Sequence, residues 1–314
     1  MNSSVLPFQR RFAASSSHSF LVVPTRDQAL VGSDEMRLRY VESIRLPHPK
    51  WKEAMQAAKS VMPYATLLRQ PGGLVLTSPA GGGISFFIQA LLEEYPRNLA
   101  GSQISIPVLT LDLREVTSLD ELVTPLLGRL NYPARHLDRS INPIEAFTNL
   151  AIACGVRLIV LENAHLIVEA GTQVQRAFAN LICRVYDLRG LPCALLGAPS
   201  LDRLIHGFPE ISVRLPTRIQ FDNFRRDSLW QSLLKTFAKA LPLEKESPLG
   251  EPGMALKIHV STMGNLSRLK QLTMGGIPLA VRQGTSLTCE ILAQAHSTVF
   301  GSGSGIANPF LAKP

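Results

Sequence analysis

A glycine-rich turn near residue 80 has two of the four fixed residues of a phosphate-binding loop. The segment reads Ser78-Pro79-Ala80-Gly81-Gly82-Gly83-Ile84-Ser85. In the pattern G-x-x-x-x-G-K-[ST], backbone N–H groups cradle phosphates, the lysine reaches the β- and γ-phosphates, and the hydroxyl holds Mg²⁺. Gly83 and Ser85 fit this pattern, but Ser78 replaces the first glycine and Ile84 replaces the lysine. Taken alone, the segment favours a plain strand-to-helix turn.

A second set of polar positions follows an apolar run, where Glu162, Asn163 and His165 close the segment LIVLENAH. In P-loop proteins that transfer phosphoryl groups, an Asp in this place holds Mg²⁺ and a nearby side chain acts on the attacking water. Glu162 still carries a charge, but its extra methylene moves the carboxylate outward, and Asn163 cannot act as a base. A buried strand with a polar end is the alternative interpretation. We prefer the functional one because LENAH is close to the DEAH-like form.

A third position, Ala198 in the segment LLGAP, stands where a polar sensor side chain is typical. Positions of this kind need a scaffold of alternating strands and helices, and the apolar pattern predicts one. Strands are expected at residues 74–78, 106–113, 156–162, 193–197 and 218–221. Helices are expected between them, including 84–94, 143–154 and 173–188. Near-continuous apolar strands separated by helices are typical of a parallel sheet covered on both faces.

From Arg226 onward the pattern is helical only, with helices expected at 227–240, 254–259, 265–274 and 277–295. We therefore predict an α/β core with a five-stranded parallel sheet, followed by an all-helical C-terminal lid. The expected segments are a flexible arm at 1–35, a helical segment at 36–70, the core at 71–225, the lid at 226–300 and a flexible tail at 301–314.

Charge and cysteine content narrow the classes of function. The formal net charge of +8 favours polyanions such as double-stranded DNA, or acidic protein partners, although spare surface lysines and arginines explain it equally well. None of the four cysteines forms a C-x-x-C pair, which indicates reduced thiols in a cytoplasmic protein and no metal site. No apolar run approaches the length of a membrane span, so we expect no membrane partner.

The order and spacing of these segments resemble the TniB/TnsC-type AAA+ proteins of transposons, which are P-loop proteins. IPVLTLDLREVTSLDELVTPLLGRLNYP resembles the second-strand and helix segment of that family. FPEISVRLPTRIQFDNF is similar to its D-P-Q-L-x-R-R-F segment, TMGNLSRLKQL to its lid segment, and ANPF to its terminal segment. The likeness covers residues 36–310 and rests on several matches in the right order.

The resemblance implies an AAA+ P-loop core, ATP-dependent oligomerisation on DNA, and communication between a target selector and a transposase. By position, the phosphate pocket would be lined by Gly81, Gly82, Gly83 and Ser85. Arg214 matches the second Arg of the R-R-F segment and would be a trans-acting finger that reaches a neighbour's site, with Val213 replacing the first Arg. Arg268 would be the lid sensor. Solvated surface charge is the alternative for both arginines.

Contacts to DNA are less defined. Arg114, Arg135 and Arg139 are basic candidates near loops, and surface solvation explains them equally well.

The departures from the family pattern all fall on the hydrolytic site, where no catalytic residue is intact: Ile84, Glu162, Asn163 and Ala198. We therefore favour a non-hydrolysing assembly or target-selection subunit that joins an active AAA+ paralogue, a transposase or a target selector in a hetero-oligomer. No cofactor is required, and weak binding of ATP and Mg²⁺ stays open. The alternatives are an active regulator with an atypical P-loop, and a P-loop-derived binding module unrelated to transposition.

Overall fold

The computed structural model describes residues 23–64, 72–99, 104–116, 122–132, 142–301 and 307–311. Five parallel strands form one sheet: β1 Gly73–Thr77, β2 Val108–Asp112, β3 Leu158–Glu162, β4 Cys193–Gly197 and β5 Thr217–Gln220. Their spatial order is β2-β3-β4-β1-β5, and every neighbouring pair is parallel. The predicted five-stranded parallel sheet is confirmed.

Alternating side chains of the strands fill two apolar layers, one on each face of the sheet. On β1, Val75 belongs to one layer, whereas Leu74 and Leu76 belong to the other. Helices cover both layers, with Phe178 in the first and Phe87 in the second. Burial on both faces explains why these strands are continuously apolar in sequence rather than alternating.

The helices, in chain order, are α1 Arg26–Val31, α2 Asp34–Ser43, α3 Pro49–Val61, α4 Ile84–Glu94, α5 Val123–Arg129, α6 Pro143–Ala153, α7 Leu166–Glu169, α8 Thr172–Arg189, α9 Leu201–Gly207, α10 Pro209–Arg214, α11 Ser228–Ala240, α12 Pro252–Thr262, α13 Leu266–Arg282 and α14 Cys289–Phe300. Short 3₁₀ turns lie at Met62–Tyr64 and Leu113–Glu115. The region after β5 is helical in the described residues, as the sequence predicted.

The described residues form two compact units. The first unit contains the described residues of 1–44, 231–261 and 270–314, and the second contains those of 45–230 and 262–269, including the whole sheet. Helix α13 begins in the second unit, and its residues from Lys270 onward belong to the first.

Two helical details differ from the sequence expectation. Helix α13 continues through Gly275 and Gly276, where we expected a break, and even contains Pro278. These glycines serve close packing instead, because a Cβ atom on Gly275 would lie 2.5 Å from a methyl of Val299 on α14. Helix α1 falls within the expected flexible arm, and a capping box formed by Thr25 and Gln28 begins it.

No helix in the described ranges is long and apolar enough to cross a membrane. The described residues also contain no group of three or more His, Cys, Asp or Glu side chains that could hold a metal ion. All four cysteines are thiols rather than disulfides, with Cys183 and Cys193 buried.

Candidate functional site

The glycine-rich turn connects β1 to α4 and is shaped by backbone hydrogen bonds. Ser78 N donates to Gly197 O at 2.9 Å, which ties the start of the turn to the end of β4, and Gly82 N donates to Pro79 O at 3.1 Å. Gly81 has a φ of +77° and Gly83 a φ of +109°. Side chains with a Cβ atom rarely adopt these values, so the turn needs glycine at both positions.

The two residues that follow the turn have different environments. Ile84, at the first position of α4, packs half-buried against the apolar layer that contains Phe87 and Leu91. Ser85 is exposed. Helix α4 contains no lysine or arginine, so the turn and this helix offer an anion backbone N–H groups, the helix dipole and the Ser85 hydroxyl, but no positive side chain. The charge that normally balances a triphosphate is missing from the described turn and helix.

The ends of β2 and β3 form a polar network around Asp112. Asp112 lies opposite Glu162 in the strand register. The side-chain amide of Asn163 donates to Asp112 Oδ1 at 2.8 Å. The Nε and NH2 of Arg114 both donate to Asp112 Oδ2, at 2.9 and 2.6 Å. Both carboxylate oxygens of Asp112 therefore accept hydrogen bonds from side chains of the protein itself.

The network shifts the pKa values of its two carboxyl groups in opposite directions. Burial opposes ionisation of Asp112, but hydrogen bonds from Arg114 and Asn163 outweigh it and lower the pKa of this carboxyl. Burial raises the pKa of Glu162, and the negative charge of Asp112 raises it further. Asn163 has a φ of +56°, a conformation that Asn tolerates better than most residues. The position expected to activate water is thus a neutral hydrogen-bond donor to a neighbouring carboxylate.

The end of β4 lacks a polar sensor side chain at Ala198. Beside it, a Cβ atom on Gly197 would lie 2.9 Å from both the backbone N and the Nδ1 of His165. The imidazole of His165 therefore packs closely against the last residue of β4. Within the described structure, its buried Nδ1 has no hydrogen-bond partner.

Arg214, the candidate finger, is held within its own protomer. Its Nε and NH2 contact the two carboxylate oxygens of Asp187 at 2.8 and 2.5 Å, and its NH1 donates to Glu210 O at 3.0 Å. The Asp187 hydrogen bonds raise the pKa of Arg214, so the guanidinium stays charged. Its role as a finger stays a prediction, and that role requires Arg214 to exchange Asp187 for a neighbour's phosphate.

Other basic candidates have separate positions. Arg268 is half-buried in the first turn of α13, where its backbone N donates to Asn265 Oδ1 at 3.2 Å. Arg114 is exposed but paired with Asp112. Arg135 and Arg139 lie outside the described residues.

Sequence reasoning missed two residues of this site, Asp112 and Asn265. A carboxylate as the last residue of an otherwise apolar strand was a signal for Asp112, because parallel strands end at the same edge of a sheet. Asn265 donates to Ala80 O at 2.9 Å. These residues are 185 positions apart, so no local sequence pattern predicts the contact.

The strand order, the glycine-rich turn between β1 and α4, and the helical region after β5 define an AAA+ P-loop protein. Solved structures similar to this chain include two ORC proteins and a Cdc6 protein. Aeropyrum pernix ORC2 in ADPNP-ADP complexes has 12% identity and a TM-score of 0.58, with 86% of this chain and 72% of that chain covered. Cdc6p from Pyrobaculum aerophilum has 16% identity and a TM-score of 0.59, over 87% and 71%. Aeropyrum pernix ORC1 in complex with DNA has 13% identity and a TM-score of 0.55, over 88% and 69%.

The family follows from a sequence match. The model of the bacterial TniB protein family matches residues 37–222, and the chain belongs to that family. A search among curated proteins found no match.

Proposed function

We propose that this TniB-family protein is a non-hydrolysing AAA+ subunit that serves assembly or target selection in DNA transposition. It would contact double-stranded DNA together with an active AAA+ paralogue, a transposase or a target-selector protein. The observation that carries the proposal is the hydrogen bond from Asn163 to Asp112. A neutral amide donor occupies the position where a water-activating carboxylate would be required.

The missing lysine supports the same conclusion, because its absence weakens the binding of a triphosphate. Removing a desolvated charge partner typically costs about 2–5 kcal/mol, or roughly 30- to several-thousand-fold in affinity. Ile84 also packs against the apolar layer, so its side chain contributes to the core rather than to an anion. Hydrolysis suffers beyond binding, because phosphoryl transfer depends on positioning and electrostatic stabilisation.

Weak nucleotide binding is compatible with this function. The backbone N–H groups of residues 81–83 and the exposed hydroxyl of Ser85 would hold the phosphates and Mg²⁺. Bound nucleotide would supply charge and a shared contact at a subunit boundary.

ATP turnover by the purified protein tests the proposal. We expect phosphate release no faster than in buffer, with or without double-stranded DNA. Ser85→Ala is the control, since any genuine turnover at this P-loop requires the Mg²⁺-binding hydroxyl. Turnover that disappears in Ser85→Ala would establish instead an active regulator with an atypical P-loop.

A second experiment addresses DNA. The net charge of +8 supports binding to a polyanion, and one protein of similar fold, the ORC1 protein, was solved in complex with DNA. Absence of DNA binding at low salt, with partner binding retained, would favour a P-loop-derived protein-binding module.

A further inference from the structure

One buried side chain, Asn265, joins three segments of the second unit. It precedes α13 and is only 6% exposed. Its Nδ2 donates to Ala80 O at 2.9 Å and to Asn223 Oδ1 at 3.1 Å. Its Oδ1 accepts from Arg268 N at 3.2 Å, which is the hydrogen bond of a helix N-cap. The donor half of the amide therefore holds the glycine-rich turn and the segment after β5, while the acceptor half caps α13.

A backbone contact beside Asn265 strengthens this attachment. Ser267 N, in the first turn of α13, donates to Gly81 O at 3.2 Å. A Cβ atom on Gly81 would lie 2.5 Å from Ser267 Cβ and 2.9 Å from Asn265 Oδ1. Gly81 is thus needed for its positive φ and also for this close approach.

The position of Asn265 is itself fixed by a tight turn between α12 and α13. Met263 and Gly264 have φ values of +54° and +68°. Phe224 N donates to Gly264 O at 2.9 Å. A Cβ atom on Gly264 would lie 2.0 Å from Phe224 O, so only glycine fits here. The chain therefore presents Asn265 to the glycine-rich turn in one defined place.

We infer that Asn265 is a positioning residue that, with Ser267, holds the glycine-rich turn through the carbonyl groups of Ala80 and Gly81. Contacts within the chain then fix the conformation of the turn, which does not depend on bound nucleotide. This inference goes beyond the proposed function and does not require it, because the same contacts would hold the turn in an active or an inactive protein.

Hydrogen–deuterium exchange of peptides covering residues 78–86 tests the inference with Asn265→Asp. Asp keeps the oxygen that caps α13 but removes the donor to Ala80 and Asn223. Loss of the hydrogen bond to Ala80, the one of the two that reaches the turn, predicts exchange up to about ten-fold faster in the turn. Asn142→Asp is the matched control: Asn142 Oδ1 caps α6 by accepting from Ile144 N at 3.0 Å, far from the turn in sequence. This control should leave exchange in residues 78–86 unchanged.

Unchanged exchange in a folded Asn265→Asp protein would overturn the inference. If Asn265→Asp does not fold, Ser267→Pro removes the N–H donor to Gly81, and the first turn of a helix accepts proline. Faster exchange in that variant would support the inference, and unchanged exchange would refute it. ATP hydrolysis by the wild type would refute the proposed function while leaving these exchange outcomes unaffected.

Discussion

Asn163→Asp tests whether the end of β3 depends on a neutral side chain. In the wild type the Asn163 amide donates to Asp112 at 2.8 Å, and Glu162 lies opposite Asp112 in the register. Asp has nearly the same size as Asn and also tolerates a φ of +56°. The substitution therefore changes a hydrogen-bond donor into an additional carboxylate and alters little else.

The expected loss in the free energy of unfolding follows from the contacts of Asp112. A hydrogen bond to a charged acceptor is worth about 1.5–3 kcal/mol. Two carboxylates about 4 Å apart repel by roughly 4 kcal/mol at an effective dielectric constant of about 20. The Arg114 contact and proton uptake by one carboxyl group offset part of that repulsion. We expect the free energy of unfolding at neutral pH to fall by about 3 kcal/mol.

The loss should depend on pH in a defined direction. Crowded carboxylates have a higher pKa in the folded than in the unfolded protein, so the folded state binds more protons and stability falls as the pH rises. The deficit of Asn163→Asp relative to wild type should therefore shrink on acidification. Asn163→Gly is the control, since it keeps the positive φ and loses the donor without adding charge. Its smaller deficit should stay nearly constant between neutral and mildly acidic pH, well above the range in which Asp112 titrates.

Urea denaturation followed by tryptophan fluorescence at neutral and mildly acidic pH measures both effects. A change below about 0.5 kcal/mol for Asn163→Asp would refute the reasoning, because substitutions without a structural role fall in that range. A deficit that grows on acidification would refute the electrostatic part alone.

Three further predictions concern stability, DNA and assembly. His48 is 7% exposed, its Nδ1 accepts from Trp51 N, and burial lowers its pKa from 6.5 to about 4. The contribution of neutral His48 to the free energy of unfolding is complete above pH 6.5 and falls by about 3 kcal/mol as the pH drops to 4. In His48→Asn, the side chain caps the helix without titrating. The free energy of unfolding, measured over a series of pH values, should therefore depend less on pH in this variant. The protein should bind double-stranded DNA with little sequence preference. In titrations, its affinity should fall steeply as the salt concentration rises, and binding that does not depend on salt would contradict contact with the phosphate backbone. Light scattering of the isolated protein should show a monomer or weak association that ATP does not change, and ATP-dependent homo-oligomers would contradict the mixed assembly. Arg214→Ala should impair recruitment by an active partner, and unaffected recruitment and partner ATPase activity would remove its assignment as a finger.

The order of strands and helices could be predicted from local sequence because each element carries its own signal. The β4 strand and helix α4 have the predicted bounds, at Cys193–Gly197 and Ile84–Glu94. Each is an apolar segment with a glycine at one end and a proline near the other, and such signals depend only on neighbouring residues. The substitutions at Ile84 and Asn163 were likewise visible in the sequence, since they are departures at fixed spacings within a known pattern.

Contacts between distant segments were decided only by the tertiary structure. The break after α13 falls beyond Gly275 and Gly276 because packing against α14 stabilises a helix that local propensity disfavours. The hydrogen bonds of Asn163 to Asp112 and of Asn265 to Ala80 join residues 51 and 185 positions apart. The local sequence pattern predicts which residue types are available at a site. Their hydrogen-bond partners depend on which ends of strands and helices the fold brings together.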